Sequence, residues 1–125
     1  MAIDDVLEEI RARLEENIKR RLSGLQGFVV KPVYNSMMPL HVEVVLAPEA
    51  FELVFIKDGV VELRHGSGSN VDVRIESDAP TLGNLFQDPS AELFKDMEKQ
   101  NRIRITALTK NGRDAESYIR RYLSG

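Results

Sequence analysis

The sequence predicts one α+β domain in which helices pack on one face of a five-stranded, mostly antiparallel sheet. Two patterns predict this class: the start of the chain repeats its apolar residues every three or four positions, and five later stretches alternate apolar and polar residues. The chain has 125 residues, 42% hydrophobic and 30% charged, a balance typical of one globular domain. We therefore expect a single two-layer domain over residues 1–125, with one core between sheet and helices.

The first predicted element is a long amphipathic helix over residues 1–25. Its apolar residues follow the 3.6-residue spacing of a helix face: Ile3, Val6, Leu7, Ile10, Leu14, Ile18, Leu22 and Leu25. Gly24 can supply a left-handed stop at its end. A coiled-coil seam would continue the apolar stripe at positions 17 and 21, which are Asn17 and Arg21. The stripe moves to Ile18 and Leu22 instead, which favours packing within the domain over a coiled coil.

Five alternating stretches predict the strands, and the sheet with its covering helices is expected over residues 40–123. They are residues 40–46, 51–57, 60–65, 71–76 and 102–108, the first four expected to be antiparallel. The Asp58-Gly59 pair between the second and third has the preferred chemistry of a tight primed turn. These two strands are therefore predicted to form a hairpin.

Three more helices are predicted in the second half of the chain. Two short ones begin near Asp78 and Asp88, with Pro80 and Pro89 in their first turns, and a last one covers residues 114–123. Their apolar residues are Leu82, Leu85, Phe86, Leu93, Phe94, Met97, Tyr118, Ile119, Tyr122 and Leu123. These helices are expected to cover the apolar face of the sheet.

The second sheet face is predicted to be polar at its edges but apolar at its centre. Val45, Val54 and Ile56 form the apolar strip in the central strands. We expect residues 28–38 to shield this strip, because the segment is too apolar for an ordinary loop. Its apolar residues are Phe28, Val29, Val30, Val33, Tyr34, Met37 and Met38.

A search for reactive groups finds little. The chain has no cysteine, which excludes disulfides and thiolate chemistry. His41 and His65 are the only imidazoles, and neither has a second ligand at helical metal-binding spacing. The 66–69 stretch, Gly-Ser-Gly-Ser, lacks the third glycine and the lysine of phosphate-binding loops. We expect no catalytic residue, no cofactor and no metal site.

Charge is distributed unevenly along the chain. The net charge is −3, but residues 99–125 carry +5 and the preceding residues −8. The basic residues considered as a patch are Arg102, Arg104, Lys110, Arg113, Arg120 and Arg121. Because Tyr118 and Tyr122 are predicted in the core stripe of the last helix, no aromatic residue is left for base stacking. We therefore expect a solvated face and no nucleic-acid site.

Three stretches in this order resemble the sterol carrier protein type 2 domain family. They are FELVFIKDGVVELRHGSGSNVDVRIES (51–77), TLGNLFQDPSAELF (81–94) and NRIRITALTKNGRDAESYI (101–119), within residues 40–123. The likeness lies in the succession of an Asp-Gly hairpin, a small alternating strand, a leucine-rich short helix, an Ala-x-x-Phe helix and a last strand. The Gly-Lys-Leu-x-Ile-x-Gly-like stretch usual in the family corresponds to residues 99–107, where both glycines are absent.

The resemblance implies a five-stranded sheet and helices that enclose an apolar tunnel for fatty acyl chains, sterols or other lipids. By matching position, the tunnel would be lined by Phe55, Leu63, Ile75, Leu82, Leu85, Phe86, Leu93, Phe94, Met97, Ile105 and Ile119. The two short helices would be its movable cover, because Gly83 and the Asp88-Pro89 pair interrupt them.

The function expected is non-catalytic binding or carriage of a lipid-like ligand: a fatty acyl chain, a sterol-like molecule or an isoprenoid lipid. The alternative is a protein interaction module or homodimer that uses residues 28–38 and the second sheet face, without a ligand. We expect a cytoplasmic protein, because it lacks cysteine and its start, MAIDDVLEEI, is too acidic for a signal peptide. No segment has the roughly 18 apolar residues of a membrane span; transient contact with a membrane surface stays open.

Overall fold

The computed structural model describes residues 3–24, 27–66, 68 and 70–125, and these form five α-helices and five strands. In chain order the elements are α1 (Ile3–Ser23), α2 (Gly27–Ser36), β1 (Leu40–Leu46), β2 (Glu49–Phe55), β3 (Val61–His65), β4 (Val73–Glu76), α3 (Ala79–Gln87), α4 (Ala91–Lys99), β5 (Arg104–Ala107) and α5 (Lys110–Leu123). The α+β class and the mostly antiparallel five-stranded sheet are confirmed. Met1, Ala2 and Leu25 of the predicted first helix lie outside the described residues.

The strands lie in the order β3-β2-β1-β4-β5, and the β1–β4 pair is parallel. The prediction that the first four strands are all antiparallel is therefore wrong for this pair. Since β1, β2 and β3 are joined as successive antiparallel neighbours, β3 runs in the same direction as β1. The connection over residues 66–72 returns the chain to the starting end of β1, and β4 then enters beside β1 in the same direction.

The β2–β3 hairpin is confirmed, but its turn is longer than the primed turn expected. A short 3-10 turn, Lys57–Gly59, connects the strands, and the Ile56 N–H donates to the Val60 carbonyl at 2.8 Å. Gly59 takes a positive φ of 85° and lies against α1, where a Cβ would be 2.9 Å from Lys19 Cγ. The glycine is required by close packing on the helix as well as by its backbone conformation.

Helix α1 packs on the sheet along β3, with Leu7 and Ile10 buried in the core. Two of its polar side chains bind the backbone of one strand residue. The Val61 N–H donates to Glu15 Oε2 at 2.9 Å, and the Val61 carbonyl accepts from Arg11 Nη1 at 3.0 Å. The helix is therefore held to the sheet by specific hydrogen bonds in addition to its apolar stripe.

Most of the apolar segment predicted as a shield forms helix α2, which packs on α1 and on the Lys57–Gly59 turn. Lys31 Nζ lies 3.2 Å from Asp58 Oδ1, and Asn35 Oδ1 accepts from the Asp58 N–H at 3.0 Å. The Tyr34 hydroxyl is buried and has no hydrogen-bond partner among the described residues, and burial raises the pKa of Tyr34 to about 12. That this segment shields the second sheet face stays a prediction.

The later helices begin where side chains cap them. Asp78 caps α3 as predicted, with its carboxylate accepting from the Thr81 N–H at 2.8 Å. The predicted start of the next helix near Asp88 is wrong. The Asp88 N–H donates to the Asn84 carbonyl and ends α3, and Ser90 caps α4. Helix α5 begins at Lys110, earlier than predicted, because Thr109 caps it at the Gly112 N–H.

Candidate apolar ligand site

The eleven residues proposed to line a tunnel lie in one apolar cluster between the first sheet face and the helices. Five are buried in the core: Ile75, Leu82, Leu85, Phe94 and Ile105. Six are partly buried and pack against that core: Phe55, Leu63, Phe86, Leu93, Met97 and Ile119. The structure therefore brings the eleven residues into one layer, and their contact with a ligand stays a prediction.

Other partly buried apolar residues lie around the same core. They include Val6, Leu14 and Ile18 of α1, Ala79 of α3 and Tyr122 of α5. Helix α1 therefore contributes partly exposed apolar side chains to the same layer, whereas the residues predicted to line a tunnel all lie between Phe55 and Ile119. The drift of its apolar stripe predicts packing within the domain, and the resemblance, which covers residues 40–123, implies no lining residue from α1.

A cleft of about 320 Å³ lies between α1 and α3. Its lining residues are Val6, Glu9, Ile10, Arg13, Ala79, Pro80, Gly83, Asn84, Phe86 and Gln87. Only Phe86 belongs to the predicted lining. There is space for a side chain at Gly83, since a Cβ there would meet nothing nearer than a methyl group of Val6 at 3.9 Å.

The polar groups on the α1 wall of this cleft pair with each other. Arg13 Nη2 lies 2.9 Å from Glu9 Oε1, and both side chains are about half exposed. An exposed pair of this kind contributes little to stability and exchanges readily with water or a ligand head group. The cleft therefore has an apolar floor and a polar rim.

The helices meet beside this cleft at a small polar contact. The Asn17 amide donates to the Tyr122 hydroxyl at 3.1 Å, and the Tyr122 and Phe86 rings are 5.6 Å apart between centroids. This contact joins α1, α3 and α5 around partly buried aromatic rings. It also gives Asn17, which lies beside the apolar stripe of α1, a hydrogen-bond partner on another helix.

Helix α4, predicted as part of a movable cover, is attached to α5. Arg120 donates to Glu98 at 2.8 Å and to Glu116 at 3.0 Å, and its guanidinium lies 5.7 Å from the centroid of the Phe94 ring. A second cleft of about 450 Å³ lies here, lined by Ala91, Glu92, Phe94, Lys95, Glu98, Arg120 and Ser124. The Arg120–Glu98 ion pair holds α4 and α5 together at this cleft.

The second sheet face carries a buried ionic row that the sequence pattern did not predict. Glu43 and Glu52 are register partners in β1 and β2 and are only 5% and 3% exposed. Glu43 accepts from Arg74 at 2.6 Å, a hydrogen bond that raises the pKa of Arg74, and Glu52 Oε1 lies 3.2 Å from His41 Nδ1. Gly68, in the β3–β4 connection, lies so close to the Glu52 carboxylate that a Cβ there would clash. Glu52 Oε2 has no hydrogen-bond partner among the described residues.

The histidines are used in packing and pairing. His41 is half-buried beside Glu52, and His65 is exposed with its ring centroid 5.4 Å from that of Phe51. In the part of the chain that the structure describes, no three His, Asp or Glu side chains are grouped as metal ligands would be. Among the same residues, no helix combines the length and apolar character needed to cross a bilayer.

No protein-family model matches this sequence, and no curated protein matches it. Solved structures do resemble the fold. Sterol carrier protein 2 like 2 from Aedes aegypti has a TM-score of 0.57 at 13% identity, with 96% of this chain and 98% of that chain covered. A palmitated form of SCP2L2 from Aedes aegypti has a TM-score of 0.52 at 15% identity and covers 100% of this chain and 96% of that chain.

A third similar structure is UbiJ-SCP2, described as a ubiquinone synthesis protein. Its TM-score is 0.52 at 11% identity, over 84% of this chain and 88% of that chain. At these identities the likeness concerns the path of the backbone and not the ligand or the reaction. Since all three comparisons cover most of both chains, this chain has the fold of the sterol carrier protein 2 domain.

Proposed function

We propose that this protein binds and carries a lipid-like apolar ligand, without bond chemistry, beneath helices α1 and α3. The observation that carries the proposal is the apolar-floored α1–α3 cleft, which opens on the cluster of half-buried apolar side chains. The exposed parts of these side chains are apolar surface that a ligand could remove from water. A bound acyl chain or ring system would cover that surface.

Volume and energetics support the same ligand class. The cleft, about 320 Å³, lies at the lower end of the range of roughly 300–1,000 Å³ found for small-molecule sites. Each apolar square ångström removed from water contributes about 25 cal/mol, so a flexible apolar chain gains affinity from area alone. The palmitated form of the similar SCP2L2 fold is a further reason to test fatty acids first.

Native mass spectrometry of the purified protein, followed by titration of the delipidated protein with a fluorescent fatty acid, tests the proposal. We expect a copurified lipid and saturable binding by the monomer. Gly83→Met places a long side chain in the cleft and should reduce affinity at least tenfold, whereas Ala12→Met, on the exposed face of α1, should bind normally. Circular dichroism of both variants tests whether they fold. Absence of fatty-acid and sterol binding by the delipidated protein would sink the proposal, and so would normal binding by Gly83→Met.

A second candidate, from a different class, is a homodimer through α2. Val30 and Val33, one turn apart on this helix, are 41% and 58% exposed, and adjoining exposed apolar side chains are a feature of protein interfaces. Analytical ultracentrifugation over a hundredfold concentration range tests it. Association that Val33→Glu abolishes would support the dimer, and a monomer at every concentration would eliminate it.

A further inference from the structure

Helix α5 turns an amphipathic face to solvent that neither the fold nor the proposed cleft requires. Lys110, Arg113, Tyr118 and Arg121 are all exposed on this helix, and Leu108 precedes its first turn. Tyr118 is 58% exposed and Leu108 is 45% exposed. The prediction that Tyr118 lies in the core stripe is therefore wrong: Gly112, Ala115, Ile119 and Leu123 form the covered face instead.

Three cations on this face have no ion-pair partner in the part of the chain that the structure describes. Among the described residues, Lys110, Arg113 and Arg121 form no ion pair with a carboxylate, while Arg120 on the neighbouring face is paired with Glu98 and Glu116. Arg121 lies 5.8 Å from the centroid of the Tyr118 ring. With Asp114 as its one acid, the face carries a net charge of +2 in a chain of net charge −3.

We propose that the exposed face of α5 docks the protein on an anionic phospholipid bilayer. Cationic side chains attract anionic head groups, and an amphipathic tyrosine beside an exposed leucine suits the boundary between head groups and acyl chains. The rest of the chain is acidic and is repelled by such a surface, so docking orients the molecule with α5 toward the bilayer. This inference rests on the proposed carriage of lipid, because a carrier must exchange its ligand at a membrane.

Docking with α5 toward the bilayer brings the proposed ligand site closer to the membrane. Ile119 and Tyr122 lie on the covered side of the same helix, and Tyr122 contacts Phe86 beside the α1–α3 cleft. Docking through α5 therefore brings one wall of the half-covered apolar cluster close to the lipid.

Flotation of the full chain with vesicles tests the docking. We expect binding to vesicles of phosphatidylcholine with phosphatidylglycerol, no binding to phosphatidylcholine alone, and weakening as NaCl is raised. Arg113→Gln with Arg121→Gln should weaken binding about 30-fold, since each cation near such a surface contributes about 1 kcal/mol. The matched control is Arg20→Gln with Arg21→Gln on α1, which removes the same charge elsewhere. Tyr118→Ala should also weaken binding, while Val60→Ala, at another exposed apolar residue, should not.

Three outcomes would overturn the docking: equal binding to both vesicle types, equal loss in the α1 control, or tighter binding of a single-stranded oligonucleotide than of anionic vesicles. Fatty-acid titration of the same variants in solution separates this proposal from the proposed function. The α5 variants should bind fatty acid normally, because their side chains lie outside the apolar cluster. If the wild-type protein binds fatty acid normally but does not bind anionic vesicles, the docking proposal is wrong and the proposed carriage of lipid stands.

Discussion

At the scale of single residues, two helical glycines have opposite roles. Gly112 lies against the Asp72 carbonyl, where a Cβ would clash with backbone, whereas a Cβ at Gly83 would make an ordinary contact with Val6. The Asp72 carbonyl also accepts the Leu108 N–H at 2.7 Å, so it is not free to move away. The close approach of α5 to the start of β4 therefore depends on the missing side chain of Gly112.

Alanine substitution of these glycines should have effects of opposite sign. Gly→Ala inside a helix normally stabilises by up to about 1 kcal/mol, and Gly83→Ala should show this gain. Gly112→Ala should instead lower the free energy of unfolding by about 1–3 kcal/mol, the usual cost of overpacking. Urea denaturation of the two variants measures both values. A stabilised Gly112→Ala protein would mean that α5 can shift away from Asp72 at little cost.

Glu15 should make stability depend on pH. The Val61 N–H that donates to its carboxylate lowers the pKa of Glu15 below its usual value of 4.5. A lowered pKa in the folded state means that the stabilisation is present above pH 4.5 and is lost as the pH falls through the folded value. Glu15→Gln should therefore be less stable than wild type at pH 7, by about 1 kcal/mol, and equally stable near pH 2.

Denaturation at pH 7 and at low pH, with Glu16→Gln as the neighbouring control, measures this dependence. Glu16 forms an exposed ion pair with Arg20, so its loss should change stability little at either pH. A Glu15→Gln deficit that persists unchanged at low pH would show that the contact depends on shape and not on charge.

At the scale of secondary-structure elements, local patterns predicted what local chemistry determines. The 3.6-residue stripe predicted α1, and Asp78 with Pro80 predicted the start of α3. Local patterns did not predict the start of α4, since Asp88 and Ser90 are both good capping residues. The contact that distinguishes them is tertiary: the Ser90 N–H donates to the carbonyl of Leu123 in α5. Helix α2 was recognised only as an apolar segment, because Pro32 and its valines disfavour a helix in isolation.

The contact between α1 and α5 should be measurable as a coupling energy. Asn17→Ala and Tyr122→Phe each remove one partner of the hydrogen bond between these helices, and each should cost about 1 kcal/mol. The double variant should cost less than the sum of the two, because the bond can be lost only once. Urea denaturation of the four proteins gives the coupling. Strict additivity would mean that the two groups do not interact in solution.

At the scale of the whole molecule, the parallel β1–β4 pair and the buried Glu43–Glu52 row could not be predicted. Both depend on contacts between segments far apart in the sequence, such as the β1–β4 pair and the approach of Gly68 to Glu52, which alternation within a strand does not encode. The eleven proposed lining residues do lie in one apolar layer, because core residues and lining residues share one apolar pattern, and their contact with a ligand stays a prediction. That shared pattern is also why the sequence could not distinguish a filled core from a cleft, which depends on side-chain volumes across several elements.

Ligand binding should stabilise the whole fold. A fatty acid present at 100 times its dissociation constant adds about 2.7 kcal/mol to the free energy of unfolding if it binds only the folded state. We expect this gain in the wild type and in Ala12→Met, and a much smaller gain in Gly83→Met. Thermal denaturation with and without fatty acid measures it. An equal gain in Gly83→Met would place the ligand outside the α1–α3 cleft.

The hydrogen bonds from α1 to Val61 also bear on solubility. β3 is the last strand on its side of the sheet, so its outer N–H and carbonyl groups form a template on which a strand from another molecule could assemble. Arg11 and Glu15 occupy one donor and one acceptor of that template, and the body of the helix lies along it. Displacing α1 would therefore expose apolar surface and an unsatisfied strand edge together, and the first symptom of a damaged first helix should be aggregation through the β3 edge.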